Sequence, residues 1–536
     1  MYTYNCINKL DIVKTLNYSA DLVEIFGNVK LKSGLTLKNS LVIDGISFWD
    51  IFTPELAHSH ISKIFASKSS PDLIQKIKPE ILHLRDFFSN RKLLKYKSKV
   101  FVSDMIYDKK ILYLGFTNQM YRDVIQPIAQ RIDMDTHDHG LILTDKNPTL
   151  TDYIFSDRCS FGSIWNYYDN FTLSEASKIK RSILLVAKEL GDYKILTNSL
   201  PGDVEYLSGH FELLFNSLFK YYLPKAALQV VLARKVFSFY GPDIVVSPDV
   251  SDSRTRIYTI LARHLNIPSL DLQFGLAGNE AIEWRFLFAD KVAVWGSDSK
   301  KYLMKQGVTK DRILITGSPR HDHIFTISKK ELAQKKNILG IPDKYKVFVL
   351  ASTYSLKTHD KYSDPKLLIN MKKAVFDAFQ NLPNAFLIVK PHPVENEFEN
   401  RTFIGNSANI IQIDRDSDIR ELIKICDCFI SFGSTATIDA LIADKLVICP
   451  ILDGWVFSDT FKDSGAVIIP TTADQIKTVV KDISIGFTKK YTPNRETKKN
   501  FLKKKVFLAD GKSTYRIKSL ILETISQGSQ ESKKYE

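Results

Sequence analysis

The sequence predicts an α/β protein of two doubly wound, Rossmann-like lobes preceded by an irregular N-terminal extension. Three observations lead there. Short, uninterrupted Val, Ile and Leu runs recur through most of the chain, as strands buried on both faces of a parallel sheet require. Helical stretches fall between many of them, which parallel crossovers need. The 536 residues also exceed what one hydrophobic core organises.

The elements follow in order. Residues 1–95 are the least regular, with Leu41-Val-Ile-Asp-Gly45 reading as a strand that runs into a turn. Residues 96–325 are expected to form the first lobe. Its strands are Ile111–Gly115, Leu141–Thr144, Asp243–Ser247, Ser269–Gln273, Val292–Trp295 and Ile313–Thr316. The series breaks near Ile324–Asp343, where a polar helix, Ser328 to Asn337, precedes a linker at Leu339-Gly-Ile-Pro342. Residues 326–485 form the second lobe, with strands Val347–Ala351, Phe386–Val389, Ile410–Ile413, Cys428–Ser431, Leu446–Cys449 and Ala466–Ile469. Residues 486–536 are a basic helical segment. A cleft between two such lobes is the expected place for ligands.

Composition narrows the function classes. Hydrophobic residues at 44% and charged ones at 25% match an ordinary soluble globular protein. No run approaches the roughly 18 apolar residues that span a bilayer, and Met1–Asn5 lacks the layout of a signal peptide. The five cysteines, Cys6, Cys159, Cys426, Cys428 and Cys449, have no metal or redox spacing. A cytoplasmic location is expected, with peripheral association at the inner face of a membrane as an option. The net charge is +14, and Lys489–Lys518 holds eleven Lys or Arg against Glu496 and Asp510. Such a run is a solvated helix face or a contact for an anionic membrane or polymer. No nucleic-acid-binding pattern accompanies it, so nucleic acid is not an expected partner.

The sharpest chemical signal is Ala385-Phe-Leu-Ile-Val-Lys-Pro-His-Pro-Val394. A buried strand ends in Lys390, Pro391, His392 and Pro393, where the carboxyl end of a parallel strand presents side chains to a ligand. Lys390 and His392 offer cationic or hydrogen-bonding groups to a phosphate, and the prolines stiffen the backbone between them. The plainer reading is a strand-end loop with a surface His. The arrangement recurs where Cys428–Ser431 runs into Phe432-Gly-Ser-Thr-Ala-Thr437 and a helix. Gly433 permits a tight turn, Ser434 and Thr435 can cap the helix, and its N-terminus can meet an anion. Asp439, one turn in, can reach a ribose hydroxyl; an ordinary capped helix with a surface Asp reads equally.

At the end of the first lobe, Gly317-Ser-Pro319 punctuates a strand and Arg320 is placed to meet phosphate, or is a solvated residue of a hinge turn. Earlier, Asp249, Asp252 and Arg254 follow one strand, and Gln273 and Gly275 follow the next, with Glu280 and Glu283 in the loop beyond. This is the acceptor side, where Asp252 or Glu283 can deprotonate a hydroxyl; loop carboxylates are also often just solvated. Neither GxxxxGK[ST] nor GxGxxG occurs, which argues against nucleoside-triphosphate hydrolysis and nicotinamide chemistry. His137-Asp-His139 and His321-Asp-His323 lack further ligands at metal spacing. Of two DxD-like triplets, Asp133-Met-Asp135 stands outside these motifs, and Asp414-Arg-Asp416 with Asp418 reads as a capped helix start. No metal or other cofactor is expected.

In their order, Gln273-Phe-Gly275, Trp295-Gly296, Gly317-Ser-Pro-Arg-His-Asp322, Lys390-Pro-His-Pro393 and Ser434-Thr435 with Asp439 resemble the motifs of GT-B-fold transferases of bacterial surface polysaccharides. Within that superfamily the likeness is to the CDP-glycerol glycerophosphotransferases, the capsule Kdo transferases and the sialyl- and polysialyltransferases. It covers about residues 240–470, and its specificity lies in motif order. The resemblance implies an inverting, metal-independent glycosyltransferase-type enzyme of polysaccharide or capsule biosynthesis. Its donor would be nucleotide-activated, CMP- or CDP-linked, with the His-Pro pair and Ser-Thr turn on the phosphate. Its acceptor would be a glycan or lipid-linked chain, and His392 would join Asp252 and Glu283 as a catalytic residue. One departure is Phe274, where many members carry His.

Two other classes stay open. A nucleotide-sugar 2-epimerase shares the two-lobed fold, though it is usually shorter and needs no basic C-terminal stretch. A non-catalytic nucleotide-sugar-binding protein would bind nucleotide without turnover.

Overall fold

The computed structural model describes residues 9–66, 82, 108–145, 155–191, 193–202, 204–277, 281–353, 365–393, 395–405, 407–452, 455 and 459–532. Strands β1 (Val42–Ile43) and β2 (Ile46–Ser47) form an antiparallel hairpin. Asp44 and Gly45 turn it with φ of 49° and 79°. A two-residue turn with positive φ at both positions is the form that Asp-Gly favours.

Seven strands build the first large sheet: β3 (Lys110–Leu114), β4 (His139–Thr144), β5 (Cys159–Ser163), β6 (Ile244–Ser247), β7 (Ser269–Leu272), β8 (Lys291–Val294) and β9 (Ile313–Ile315). Their order is β5-β4-β3-β6-β7-β8-β9 and every pairing is parallel. The chain winds one way from β3 and then the other, so the order reverses between β3 and β6. β5 was not anticipated: Cys159-Ser-Phe-Gly-Ser163 has no aliphatic run, yet it pairs along β4 at the sheet's edge.

Five strands build the second sheet: β10 (Lys346–Ala351), β11 (Ala385–Lys390), β12 (Ile410–Gln412), β13 (Cys428–Ser431) and β14 (Leu446–Ile448). The order is β12-β11-β10-β13-β14, again all parallel, with the reversal between β10 and β13. The expected strand Ala466–Ile469 is not one. Only Ile468 makes a bridge, to Ile448, because the segment merely touches the sheet's last strand.

The two α/β units are thus the doubly wound class expected. One comprises Val13–Val294, Ser299–Thr316 and Thr514–Glu536; the other comprises Met1–Ile12, Trp295–Asp298 and Gly317–Ser513. The chain passes into the second unit at Gly317, ahead of the break expected at 324–343, and the helix Lys329–Ile338 lies inside that unit. Ser328 caps this helix in a capping box with Glu331. The described N-terminal residues from Val13 cluster with the seven-stranded sheet, and the basic C-terminal stretch divides between units at Ser513.

Each sheet has its own core. In the first, Ile111, Tyr113, Ile244, Val246, Leu270 and Leu272 pack with Ile517, Leu520, Ile521 and Ile525 of the helix Ser513–Ser532. In the second, Phe348, Leu350, Leu387, Val389 and Ile430 pack with Leu368, Met371, Val375 and Phe379 of the helix Pro365–Phe379. Ile476, Val479, Val480 and Ile483 of Ala473–Ser484 join them at the spacing of one helix face. No described helix is long and apolar enough to cross a membrane.

Candidate functional site

The carboxyl edge of the five-stranded sheet gathers three loops: Ser352 after β10, Lys390–Pro393 after β11 and Phe432–Thr435 after β13. Ligands of open parallel sheets bind at this edge, near the reversal of strand order. Lys390 is 9% exposed and its Nζ donates to the carbonyl of Arg415 at 2.7 Å. That bond brings Arg415, an exposed cation after β12, beside the loop. In the sequence Arg415 reads only as the middle of the DxD-like triplet Asp414-Arg-Asp416. Burial, reinforced by the Lys390 charge, lowers the His392 imidazole to about 4. At neutral pH His392 is therefore uncharged and offers hydrogen bonds rather than positive charge. Pro391 is buried and Pro393 exposed.

Beneath the loop lies a polar cluster that no sequence signal marked. Glu395, fully buried, accepts at Oε1 from Lys372 Nζ (2.6 Å), Ser352 Oγ (2.8 Å) and Asn400 Nδ2 (2.9 Å). At Oε2 it accepts from the His392 amide at 2.8 Å. Lys372, also buried, donates onward to Glu399 at 2.8 Å. A buried charge persists when it is paired and hydrogen-bonded, and this one is both.

The second loop is tied to itself. Gly433 takes φ of 95°, and Ser431 Oγ accepts from the amides of Gly433 (3.2 Å) and Ser434 (3.0 Å) and from Thr437 Oγ1 (3.0 Å). Ser434 Oγ lies 3.1 Å from the same oxygen. The expected side-chain cap is absent: Thr435 is the N-cap of the helix Ala436–Ile442 without a side-chain bond, and the helix has seven residues. Ser431, inside the strand, organises the turn instead, so the Ser434 amide points inward.

Two expected donor contacts are corrected. Arg320 does not reach outward, and Asp439 is no ribose partner at the surface. Arg320 donates to Asp439 Oδ2 from Nε (3.0 Å) and Nη2 (2.9 Å), with Arg320 at 7% and Asp439 at 0% exposure. Desolvation makes such charges seek each other. His321, stacked edge-on to Trp295 at 4.7 Å, lies 3.6 Å from Asp439 Oδ1, and burial holds its imidazole well below its usual range. Gly317, with φ of 79°, makes the turn before them. The candidate metal groups resolve into structure. Asp418 caps Ile419–Ile425, Asp133 accepts from the Ser156 amide at 3.0 Å, and His139 lies 2.9 Å from Tyr240 Oη. Among the described residues, no three His, Cys, Asp or Glu side chains are grouped to hold a metal ion.

In the seven-stranded unit, the acceptor-side candidates sit at the corresponding edge. Asp252 caps the helix Ser253–His264, and both its oxygens accept from Arg254, with Nη2–Oδ2 at 2.6 Å. Arg254 also pairs with Asp145, after β4, and lies 5.3 Å over the Phe116 ring, after β3. Neither Asp145 nor Phe116 was singled out by sequence, because only the strand order brings β3, β4 and β6 together. Asp249 accepts at Oδ1 from the Ser251 amide (2.8 Å) and hydroxyl (2.7 Å); burial, then Asp252, raises its carboxyl. Gln273 is buried, its Nε2 donating to the Gly275 carbonyl at 2.8 Å, which shapes the loop. Phe274 packs against the sheet's core, so the position where the resemblance leads one to expect His makes an apolar contact. Glu283 is half-buried in the turn Ile282–Phe286, and Glu280 lies outside the described residues. His392 belongs to one unit, and Asp252 and Glu283 to the other.

Residues 293–523, less than half of the chain, match the model of the CDP-Glycerol:Poly(glycerophosphate) glycerophosphotransferase family. The match spans Trp295-Gly296, the Gly317 turn, the Lys390–Pro393 loop and Asp439, and it bears out the superfamily resemblance drawn from those motifs. No curated protein sequence matches the chain. Among solved structures, the wall teichoic acid polymerase TagF is similar at 13% identity, covering 85% of this chain and 99% of that one, TM-score 0.48. The S. aureus MnaA–UDP structure is similar at 13% identity over 76% of this chain and 94% of that one, TM-score 0.48. UDP-GlcNAc 2-epimerase from Neisseria meningitidis, bound to UDP-GlcNAc, aligns at 13% identity over 77% and 100%, TM-score 0.46.

Proposed function

We propose that this chain is a CDP-glycerol-type transferase that moves glycerol phosphate from a cytidine-nucleotide donor onto the hydroxyl end of a surface-polymer acceptor. The observation that carries the reading is the glycerophosphotransferase match across 293–523, which contains the Lys390–Pro393 loop at the carboxyl end of β11. In the reaction, an acceptor hydroxyl oxygen bonds the glycerol-bearing phosphorus. The bond to the bridging oxygen breaks, CMP leaves with that electron pair, and the hydroxyl proton passes to a carboxylate base. Metal-independence belongs to the proposal, as does the donor site at Lys390, His392, Pro393, Gly433, Ser434 and Thr435, to which the position of Arg415 adds a second cation.

Asp249, Arg254, Gln273 and Gly275 remain the acceptor-side assignment in the seven-stranded unit. Asp249 is favoured there as base, since its carboxyl is raised while Asp252 is committed to Arg254. Membrane association through exposed basic residues is the last part of the reading.

The test is a thermal-shift series with CDP-glycerol, CDP, UDP and GDP, joined to an assay of CMP release with poly(glycerophosphate). Selective stabilisation by the cytidine ligands and acceptor-dependent CMP release are expected. Epimer formed from UDP-N-acetylglucosamine would move the chain to the 2-epimerases. Nucleotide binding without turnover would make it a binding protein.

A further inference from the structure

We infer that Glu395, fixed by Lys372, is the positioning residue of the donor loop, acting through the main chain of His392; this rests on the donor-site reading above. Within Pro391-His392-Pro393 the prolines have no N–H, so the tripeptide has one backbone donor, the His392 amide. Glu395 takes it at Oε2, 2.8 Å, and returns its own amide to the His392 carbonyl at 2.9 Å. Both peptide groups of His392 are thereby bound to one residue. The rotation of the loop about its proline-stiffened axis is set, and with it the direction of the imidazole.

The clamp is itself held from three elements. Lys372 comes from the helix Pro365–Phe379, Asn400 from the helix Glu397–Ile404, and Ser352 from the residue after β10. All three converge on Oε1 at 2.6–2.9 Å. Ser352 also donates its amide to the Lys390 carbonyl at 3.0 Å, so the β10 and β11 ends are tied at the same point. Lys372, Glu395 and Asn400 are each 0–1% exposed, so they support the loop from below without reaching a ligand. A site held to a fraction of an ångström needs such a second layer, and a loop free to turn would spread His392 over several directions.

Glu395→Gln keeps the shape but loses one acceptor and the charge opposite Lys372. The experiment compares Glu395→Gln, Asn400→Ala and His392→Ala for donor KM, acceptor KM and kcat with CDP-glycerol, and for the His392 imidazole titration by NMR. The expected result is a donor KM raised at least tenfold in Glu395→Gln and several-fold in Asn400→Ala, with acceptor KM unchanged. The His392 midpoint should also move upward from about 4 as the ring leaves its seat. Asn400→Ala retains Lys372 and Ser352 on the carboxylate and decides the question if Glu395→Gln does not fold. Folded variants with wild-type donor KM and an unmoved His392 titration, beside a His392→Ala variant that has lost the donor, would overturn the inference. Wild-type donor binding by His392→Ala would instead sink the donor-site reading.

Discussion

Arg320 holds Asp439 through two hydrogen bonds to one carboxylate oxygen, 3.0 and 2.9 Å, across 119 residues of sequence. The pair ties the helix Pro319–Thr326 to the helix after β13. Arg420 extends it, donating to the Arg320 carbonyl at 3.2 Å and to Asp418. Asp439 thus serves the fold of the unit. Asp439→Ala should cost about 3–5 kcal/mol, the range for stranding one partner of a buried ion pair. Urea unfolding measures it. A loss of donor affinity at unchanged stability would restore Asp439 to the ligand.

His392 stays neutral because folding lowers its imidazole to about 4. Its hydrogen-bonding form is then constant from about pH 5 upward. CDP-glycerol, a diphosphate diester with no ionisation near neutrality, should therefore bind with the same affinity from about pH 5.5 to 8. Isothermal titration at several pH values checks this. Affinity that climbs roughly tenfold as pH falls to about 5.5 would mean that protonated His392 meets the phosphate.

The strand runs were readable because buried parallel strands need apolar side chains on both faces, as in Val347–Ala351 and Phe386–Val389. β5 escaped because an edge strand tolerates Ser and Gly. The apolar run Ala466–Ile469 misled because it belongs to a segment that forms an isolated bridge to β14 at Ile468 and no strand. At the site, Lys390 and His392 were readable from strand and proline context. Arg320, Asp439 and Glu395 were misread or missed because their meaning depends on burial and on partners far along the chain. A charged residue at a strand end looks the same in sequence whether it faces a ligand or a partner 119 residues away.

Asp271, in β7, carries a carboxyl that burial raises from 3.8 to about 7. Between those values the folded state binds more protons than the unfolded one, so Asp271 reduces stability as pH rises through the window. Asp271→Asn removes that dependence. Relative to the parent, the variant should gain up to about 1.4 kcal/mol per pH unit between about pH 4 and 7. Histidines lowered in the fold, His139, His321 and His392, have the opposite sign but cancel in the comparison. Parallel stability curves for the two proteins between about pH 5 and 8 would refute the assignment.

Transfer should survive EDTA. On the proposed donor site, Lys390 at the end of β11 and Arg415 in the loop after β12 are the cations assigned to the diphosphate, since Arg320 is committed to Asp439. Arg415→Ala should then raise donor KM about tenfold, as loss of one charge-assisted contact does. Abolition of CMP release by chelation, reversed by magnesium or manganese, would replace this account with a metal-dependent one.

The basic stretch Lys489–Lys518 splits into docked and outward charges. Lys498 pairs with Asp444, Lys505 with Asp298 at 3.2 Å, Lys490 with Asp482 at 2.8 Å and Lys518 with Asp135 at 2.7 Å. Arg516 donates to the Thr316 carbonyl at 2.6 Å. On the helix Arg495–Val506, Lys498 and Lys505 are seven apart and share the docked side with buried Val506. Arg495, Lys499 and Lys503, four apart in turn, form one exposed stripe. An anionic leaflet attracts each such charge by about 1 kcal/mol before screening, so three supply a weak, reversible attachment. Vesicles containing phosphatidylglycerol should co-sediment the protein at low salt and release it at high salt, whereas neutral vesicles should not bind. Changing Arg495, Lys499 and Lys503 together to Glu should abolish sedimentation and leave the melting temperature within a few degrees, because none of the three has a docked role. Equal binding to neutral vesicles, or full binding by the triple variant, would leave the stripe a solvated helix face.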